Sequence, residues 1–215
     1  YGTSEAGATS MTSIHDSDLK RRTTVGRLLI GQEVLIAADD GSAVTAGEAG
    51  EVCWRGANKS YGFLNDPAST AKVWDAEGWM HSGDLGCMDA DGYLQIVGRK
   101  KDMIIRGGQN INPGAIEEAL LEHPSVNEVA VVAFEDEVLG ERIAACVVTS
   151  DEGLVLEALK SVVLARGMAA WHQPELLVRV LELPRNAGGK VDKRSLTALA
   201  TQMARASDGK AVTAA

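Results

Sequence analysis

The 215 residues are 45% apolar and 24% charged, a balance that suits a soluble globular protein and allows one large domain or two modest ones. A formal net charge of -9, from 21 basic and 30 acidic residues, argues against tight binding to nucleic acid or anionic membranes, so any phosphate held here belongs to a small molecule. Cys53, Cys87 and Cys146 form no CxxC pair, which argues against a disulfide framework or a zinc site and suits the reducing cytoplasm; there is also no signal segment and no apolar run of about 18 residues.

The sequence begins at Tyr1 with "YGTSEAG" and no methionine, as if taken from within a longer protein. Between Gly26 and Gly98 it reads as short strands and turns: "EVLIA" (Glu33 to Ala37), the turn "DDG", "EVCWR" (Glu51 to Arg55), and "YLQIVG" (Tyr93 to Gly98) after the turn "DADG". Asp66 is the expected N-cap and Pro67 the first residue of a short helix before Trp74. The rest of this β-rich stretch reads as loop.

The charged joint "GRKKD" (Gly98 to Asp102) leads into a different pattern. In "AIEEALLEHP", Ile116, Ala119, Leu120 and His123 share a helical face, and Pro124 stops the helix. "VNEVAVVAF" and "RIAACVVT" read as strands joined by a turn around Gly140, "LVLEALKSVVLARG" as a helix capped by Gly167, and "LLVRVLEL" as another strand. A glycine loop follows, then a last helix capped by Asp192 and running to about Ala204. The expected fold class is α+β: a β-rich unit over 1–98, a joint at 99–102, a compact α+β domain over 103–205 and a disordered tail over 206–215.

Taken singly, the polar residues say little. Lys190 in "LPRNAGGKVDKRSL" is an ordinary solvated charge unless a partner site exists, and a GxxxxGK[ST] phosphate loop fails for want of glycine at Pro184 and a hydroxyl at Val191. What its glycine-rich setting offers is a mobile, compact positive charge able to swing toward negative charge developing on a phosphate. "YGTSE" combines a ring, a glycine permitting close backbone approach, hydroxyls and a carboxylate, suited to a nucleobase, phosphate oxygens and a metal ion. Asp84 in "HSGDLG" is either a turn aspartate or an acceptor for two ribose hydroxyls; Arg99 is either a solvated charge or a donor to the sugar.

Taken in order, "YGTSE", "GWMHSGDLG", "DGYLQIVGRKKDMIIRGGQNINPGAIE" and "PRNAGGK" resemble the adenylate-forming superfamily of acyl-CoA and aryl-CoA ligases, from Tyr1 to about Leu196. The resemblance implies that residues 1–98 are the β-rich end of a large AMP-binding domain and residues 103–205 a small mobile C-terminal domain. It implies a two-step reaction, in which a carboxylate attacks the α-phosphate of ATP, with Mg2+ assisting, to give acyl-AMP, and the thiol of coenzyme A then takes the acyl group. By motif, Tyr1 and Gly2 lie in the nucleotide site with Tyr1 stacking near adenine, Ser4 touches phosphate, Glu5 binds magnesium, and Asp84 and Arg99 hold the ribose. Lys190 bridges substrate carboxylate and phosphate in adenylation, Lys101 is the hinge of domain rotation, and Gly107 and Gly108 leave room for the pantetheine arm in the second step.

Two residues depart from the family pattern. Ser4 stands where threonine is usual and keeps the hydroxyl, and Asn186 stands where threonine is common, a change of little expected consequence. The Ser/Thr/Gly-rich loop that grips the β- and γ-phosphates has no counterpart in these residues, so the 215-residue chain alone is expected to be inactive or nearly so. Other readings stay open: an acyl-AMP ligase loading a carrier-protein phosphopantetheine thiol, or a non-catalytic module that binds nucleotide or docks on another polypeptide. "DMIIRGGQNINP" looks closest to ligases for aryl and alicyclic carboxylates; fatty acids, and assembly as a homo-oligomer, are left open.

Overall fold

The computed structural model describes residues 1–207 and 212–213, with side chains over 1–206. The chain divides into two compact units, Tyr1–Lys101 and Asp102–Ala215.

In the first unit, β1 (Gly2–Thr3) pairs antiparallel with β2 (Gly7–Ala8), and β3 (Ser10–Met11) with β4 (Arg27–Leu28). Between β3 and β4 lies α1 (Asp18–Thr23), a helix for which the sequence pattern offers no element. Ser17 caps it by accepting from the Lys20 amide, but none of its residues is buried, so no apolar stripe announces it. An antiparallel meander follows in the order β5 (Gln32–Ala37), β6 (Gly50–Gly56), β7 (Met80–Met88) and β8 (Leu94–Arg99). Strand periodicity sorts β6: Val52 and Trp54 enter a core with Ile36, Met80 and Leu94, whereas Glu51 and Cys53, one residue out of phase, meet His81.

Strand β7 is a correction, since "HSGDLG" reads as turn and loop in the sequence. Gly83 and Gly86 hide it, and the ladder registers shift at Glu51/Cys53 and Leu85/Gly86. Gly86 is there for space: a Cβ would sit 2.7 Å from both the Gln95 carbonyl oxygen and Val52 Cγ2. α2 (Pro67–Val73) starts as expected, with Asp66 accepting from the Ser69 amide at 2.9 Å and Pro67 in the first turn.

The second unit is one sheet with helices packed on both faces. β9 (Ile104–Arg106) and β10 (Gln109–Ile111) form a hairpin, α3 (Pro113–Leu120) follows, and β11 (Glu128–Asp136) pairs antiparallel with β12 (Gly140–Val148). α4 (Leu156–Ala165) then leads to β13 (Leu176–Arg179), parallel to β12, and to α5 (Lys193–Ser207). Alternation divides the strands cleanly. Val131, Ile143, Ala145, Val147 and Leu177 pack with Ile116 and Leu120 of α3 and Leu159 and Val163 of α4. Their out-of-phase neighbours Val132, Phe134, Ala144, Cys146 and Val178 pack with Leu196, Ala200 and Met203 of α5. Each fully buried Leu, Ile or Val contributes about 1.5–3 kcal/mol relative to exposure.

The outer side of β11 is closed by side chains. Glu117 Oε1 accepts from the Val131 amide at 2.8 Å and from Lys193 Nζ at 2.7 Å, and Lys193 Nζ also reaches the Val131 carbonyl at 3.3 Å. Several boundaries differ from expectation. α3 ends at Leu120, before His123 and Pro124, and β13 stops at Arg179, leaving Leu181 exposed. α5 runs to Ser207, beyond the expected end, and β14 (Val212–Thr213) pairs with β13; the remainder of the expected tail lies outside the described residues. Among the described residues no helix is long and apolar enough to cross a membrane.

Candidate functional site

The β7–β8 ladder places Asp84 and Arg99 directly opposite one another. Arg99 Nε donates to Asp84 Oδ1 at 2.7 Å, and the Tyr1 hydroxyl donates to Asp84 Oδ2. Asp84 is only 4% exposed, so these two partners are what make a buried carboxylate tolerable there. Burial first, and then the Asp84 carboxylate, push the Tyr1 phenol well above its ordinary range, so it remains a protonated donor at neutral pH. The Tyr1 ring stacks on Trp54 with centroids 5.6 Å apart. Beside this trio is a pocket of about 370 Å³ lined by Ser82, Gly83, Arg99, Lys100 and Lys101, whose three cations suit a small anion.

Behind the pocket sits Glu51. Its Oε1 accepts from the Gly83 amide at 3.2 Å and its Oε2 meets Lys100 Nζ at 3.2 Å, so one carboxylate ties down the residue before Asp84 and the residue after Arg99. Sequence motifs do not reveal this role, because its signal is a sheet register. Glu51, Cys53 and His81 also bring ligand atoms within 4.8 Å of one another, a juxtaposition that their spacing in the chain does not advertise. Lys100 already neutralises Glu51, and burial with the Glu51 charge pushes the Cys53 thiol up to about 12, so the cluster acts as an ion pair beside a protonated thiol.

The "YGTSE" segment is a tight antiparallel turn. Thr3 Oγ1 accepts from the Ala6 amide at 3.1 Å, and a Cβ at Gly2 would lie 2.2 Å from the Gly7 carbonyl oxygen. The close approach at Gly2 is therefore made by the chain's own backbone. Ser4 is exposed and Glu5 half-buried, and neither side chain meets a hydrogen-bond or ion-pair partner among the described residues. The Glu5 carboxylate thus offers hard oxygen atoms of the kind that suits a magnesium ion.

Lys101 closes the first unit and lies in the 3-10 turn Lys100–Asp102. Gly107 and Gly108, in the second unit, occupy the two-residue turn between β9 and β10, with φ of 55° and 81°. Positive φ at both positions is the demand of a type I′ hairpin, so local geometry already calls for these glycines. Arg106 beside them is held by Glu175 at 2.9 and 3.0 Å.

Lys190 is exposed on the loop before α5. Several contacts tie the loop's backbone. Arg185 and Val191 form a bridge across its neck, Asp192 N donates to the Pro184 carbonyl at 2.7 Å, and Arg185 is anchored to Glu128 at 2.9 Å. Asn186, expected to matter little, accepts through Oδ1 from the amides of Gly188 at 3.0 Å and Lys190 at 3.1 Å. The backbone is pinned, while the Lys190 ammonium meets no partner among the described residues.

Residues 115–190 match the model of the AMP-binding enzyme C-terminal domain. The chain belongs to the AMP-binding superfamily. It corresponds to the C-terminal part of that superfamily's ligases and spans little more than a third of the length of the curated relatives it matches. It is 37% identical over 195 residues to the medium-chain fatty-acid–CoA ligase of Escherichia coli, covering 90% of this chain and 34% of that protein. To the indoleacetate–CoA ligase of Aromatoleum aromaticum it is 40% identical over 199 residues, covering 88% of this chain and 38% of the relative. Among solved structures, ATP-bound MatB from Rhodopseudomonas palustris superposes with a TM-score of 0.84 at 28% identity, over 94% of this chain and 40% of that one. The superfamily's α+β architecture is the fold described above.

Proposed function

We propose that the whole protein to which these residues belong is an ATP-dependent acyl- or aryl-CoA ligase. The observation that carries the reading is the trio of Tyr1, Asp84 and Arg99 beside a cationic pocket, in a chain whose relatives activate carboxylic acids on CoA. In the first step a substrate carboxylate oxygen attacks the α-phosphorus of ATP, the bond to the β-phosphate oxygen breaks, and pyrophosphate leaves. In the second, the thiol of CoA attacks the acyl carbonyl, loses its proton, and expels AMP.

The candidate site residues divide that sequence among them. Asp84 accepts from the ribose hydroxyls with the lone pairs left free by Tyr1 and Arg99, and Tyr1, held by Trp54, borders the adenine. Ser4 meets phosphate oxygen, and Glu5 holds magnesium, which when bound offsets charge on the phosphates. Lys190 supplies a compact cation to the carboxylate and phosphate oxygens as negative charge develops between them. Lys101 is the hinge about which the second unit turns between the steps, and Gly107 and Gly108 then border the pantetheine arm. The 215 residues alone are expected to give little or no turnover, since the grip on the β- and γ-phosphates is not among them.

The test is to give the full-length protein ATP, magnesium, CoA and a pool of aryl, alicyclic and fatty carboxylates, and to identify the products by mass spectrometry. A CoA thioester with AMP is the expected result and names the acid. Acyl-AMP accumulating without thioester would move the acceptor to a carrier-protein thiol, and neither product would leave a binding module.

A further inference from the structure

We propose that Asn186 is a positioning residue for Lys190, fixing the loop backbone so that only the lysine side chain is left to move. The proposal rests on the reading that Lys190 acts in adenylation.

A lysine behind two glycines has a disordering problem, because glycine loses more backbone freedom on ordering than any other residue. Asn186 addresses it from a single position. Its Oδ1 takes the amide protons of Gly188 and Lys190 at 3.0 and 3.1 Å. Its own amide donates to the Lys190 carbonyl at 2.8 Å, and its carbonyl accepts from the Gly189 amide at 2.9 Å. Both backbone groups of Lys190 therefore end on Asn186. Arg185 adds a second clamp, donating through Nη1 to the Gly189 carbonyl at 3.2 Å while Nη2 is paired with Glu128. Gly189, at φ 77°, supplies the left-handed step that lets the loop close on itself.

The side chain of residue 186 is thus a piece of this network, and the one that reaches the Lys190 amide, that a substitution can remove without touching the backbone bonds. Alanine deletes the acceptor shared by Gly188 and Lys190. Threonine restores an oxygen two bonds from Cα that can accept from the amide two residues on, as in the serine and threonine turns. The loop tip is exposed and lies outside both cores, so neither change threatens folding.

In the full-length protein, adenylation is read by ATP–pyrophosphate exchange, and thioester formation is read from supplied acyl-AMP and CoA. Asn186→Ala is expected to lower kcat for adenylation about 10-fold, on the scale of two lost neutral hydrogen bonds, with the KM for ATP unchanged and thioester formation at the wild-type rate. Asn186→Thr regains most of the loss. Hydrogen exchange at the Gly188 and Lys190 amides quickens in the alanine variant. Wild-type adenylation in Asn186→Ala, equal loss of both half-reactions, or no recovery with threonine would each overturn the proposal. Lys190→Ala is run alongside: if it adenylates at the wild-type rate, the role of the lysine itself is wrong, whereas its loss with Asn186→Ala intact refutes only the positioning role.

Discussion

Asp84 is a buried carboxylate with two of its roughly four acceptor sites filled, one by a phenol and one by a guanidinium. The remaining lone pairs are what a vicinal diol needs, and the fixed partners stop the carboxylate from turning away. Replacing it with asparagine leaves Arg99 without its anion and puts an NH2 where an acceptor stood. In the full-length protein, Asp84→Asn is expected to raise the KM for ATP about 10- to 100-fold, the scale of hydrogen bonds to a charged group; an unchanged KM would contradict the ribose assignment. Tyr1, Asp84 and Arg99 could each be named from sequence because short motifs carry them. Glu51 and Trp54 could not, since a strand register and a ring contact tie together residues far apart in the chain. Burial pushes the Cys53 and Cys146 thiols up to about 12, which keeps both protonated at neutral pH.

Among the elements, the β9–β10 hairpin separates two explanations for the same glycines. A type I′ turn accepts asparagine in place of glycine, because asparagine tolerates the left-handed region, whereas a pantetheine channel accepts no side chain at all. At Gly108, whose φ is 81° with no atom within 4 Å of a built Cβ, asparagine fits the turn. Gly108→Asn is therefore expected to keep the full-length protein's melting temperature and adenylation while slowing CoA thioester formation. Wild-type thioester formation would leave the glycine with a turn role only. Elements with a strong period were legible: the two-faced alternation of 128–148, the amphipathic α3 and the Asp66–Pro67 start of α2. β7 was not, because its glycines serve a bulge and a close strand contact, and α1 was not, because a helix that buries nothing carries no apolar stripe.

At the scale of the molecule, two units each hold their own core, and the chemistry assigned to them differs. The first unit holds the residues assigned to the nucleotide. The second carries the lysine loop and the glycine hairpin, each assigned to a different half-reaction. That division of labour is the central claim, and the measurement that tests it most directly is to compare Lys190→Ala with wild type in the full-length protein, one half-reaction at a time. The account predicts that ATP–pyrophosphate exchange falls at least about 100-fold, as when one preorganised electrostatic contact is lost, while acyl transfer from supplied acyl-AMP to CoA keeps its wild-type rate. Exchange at the wild-type rate, or equal loss of both steps, would contradict it.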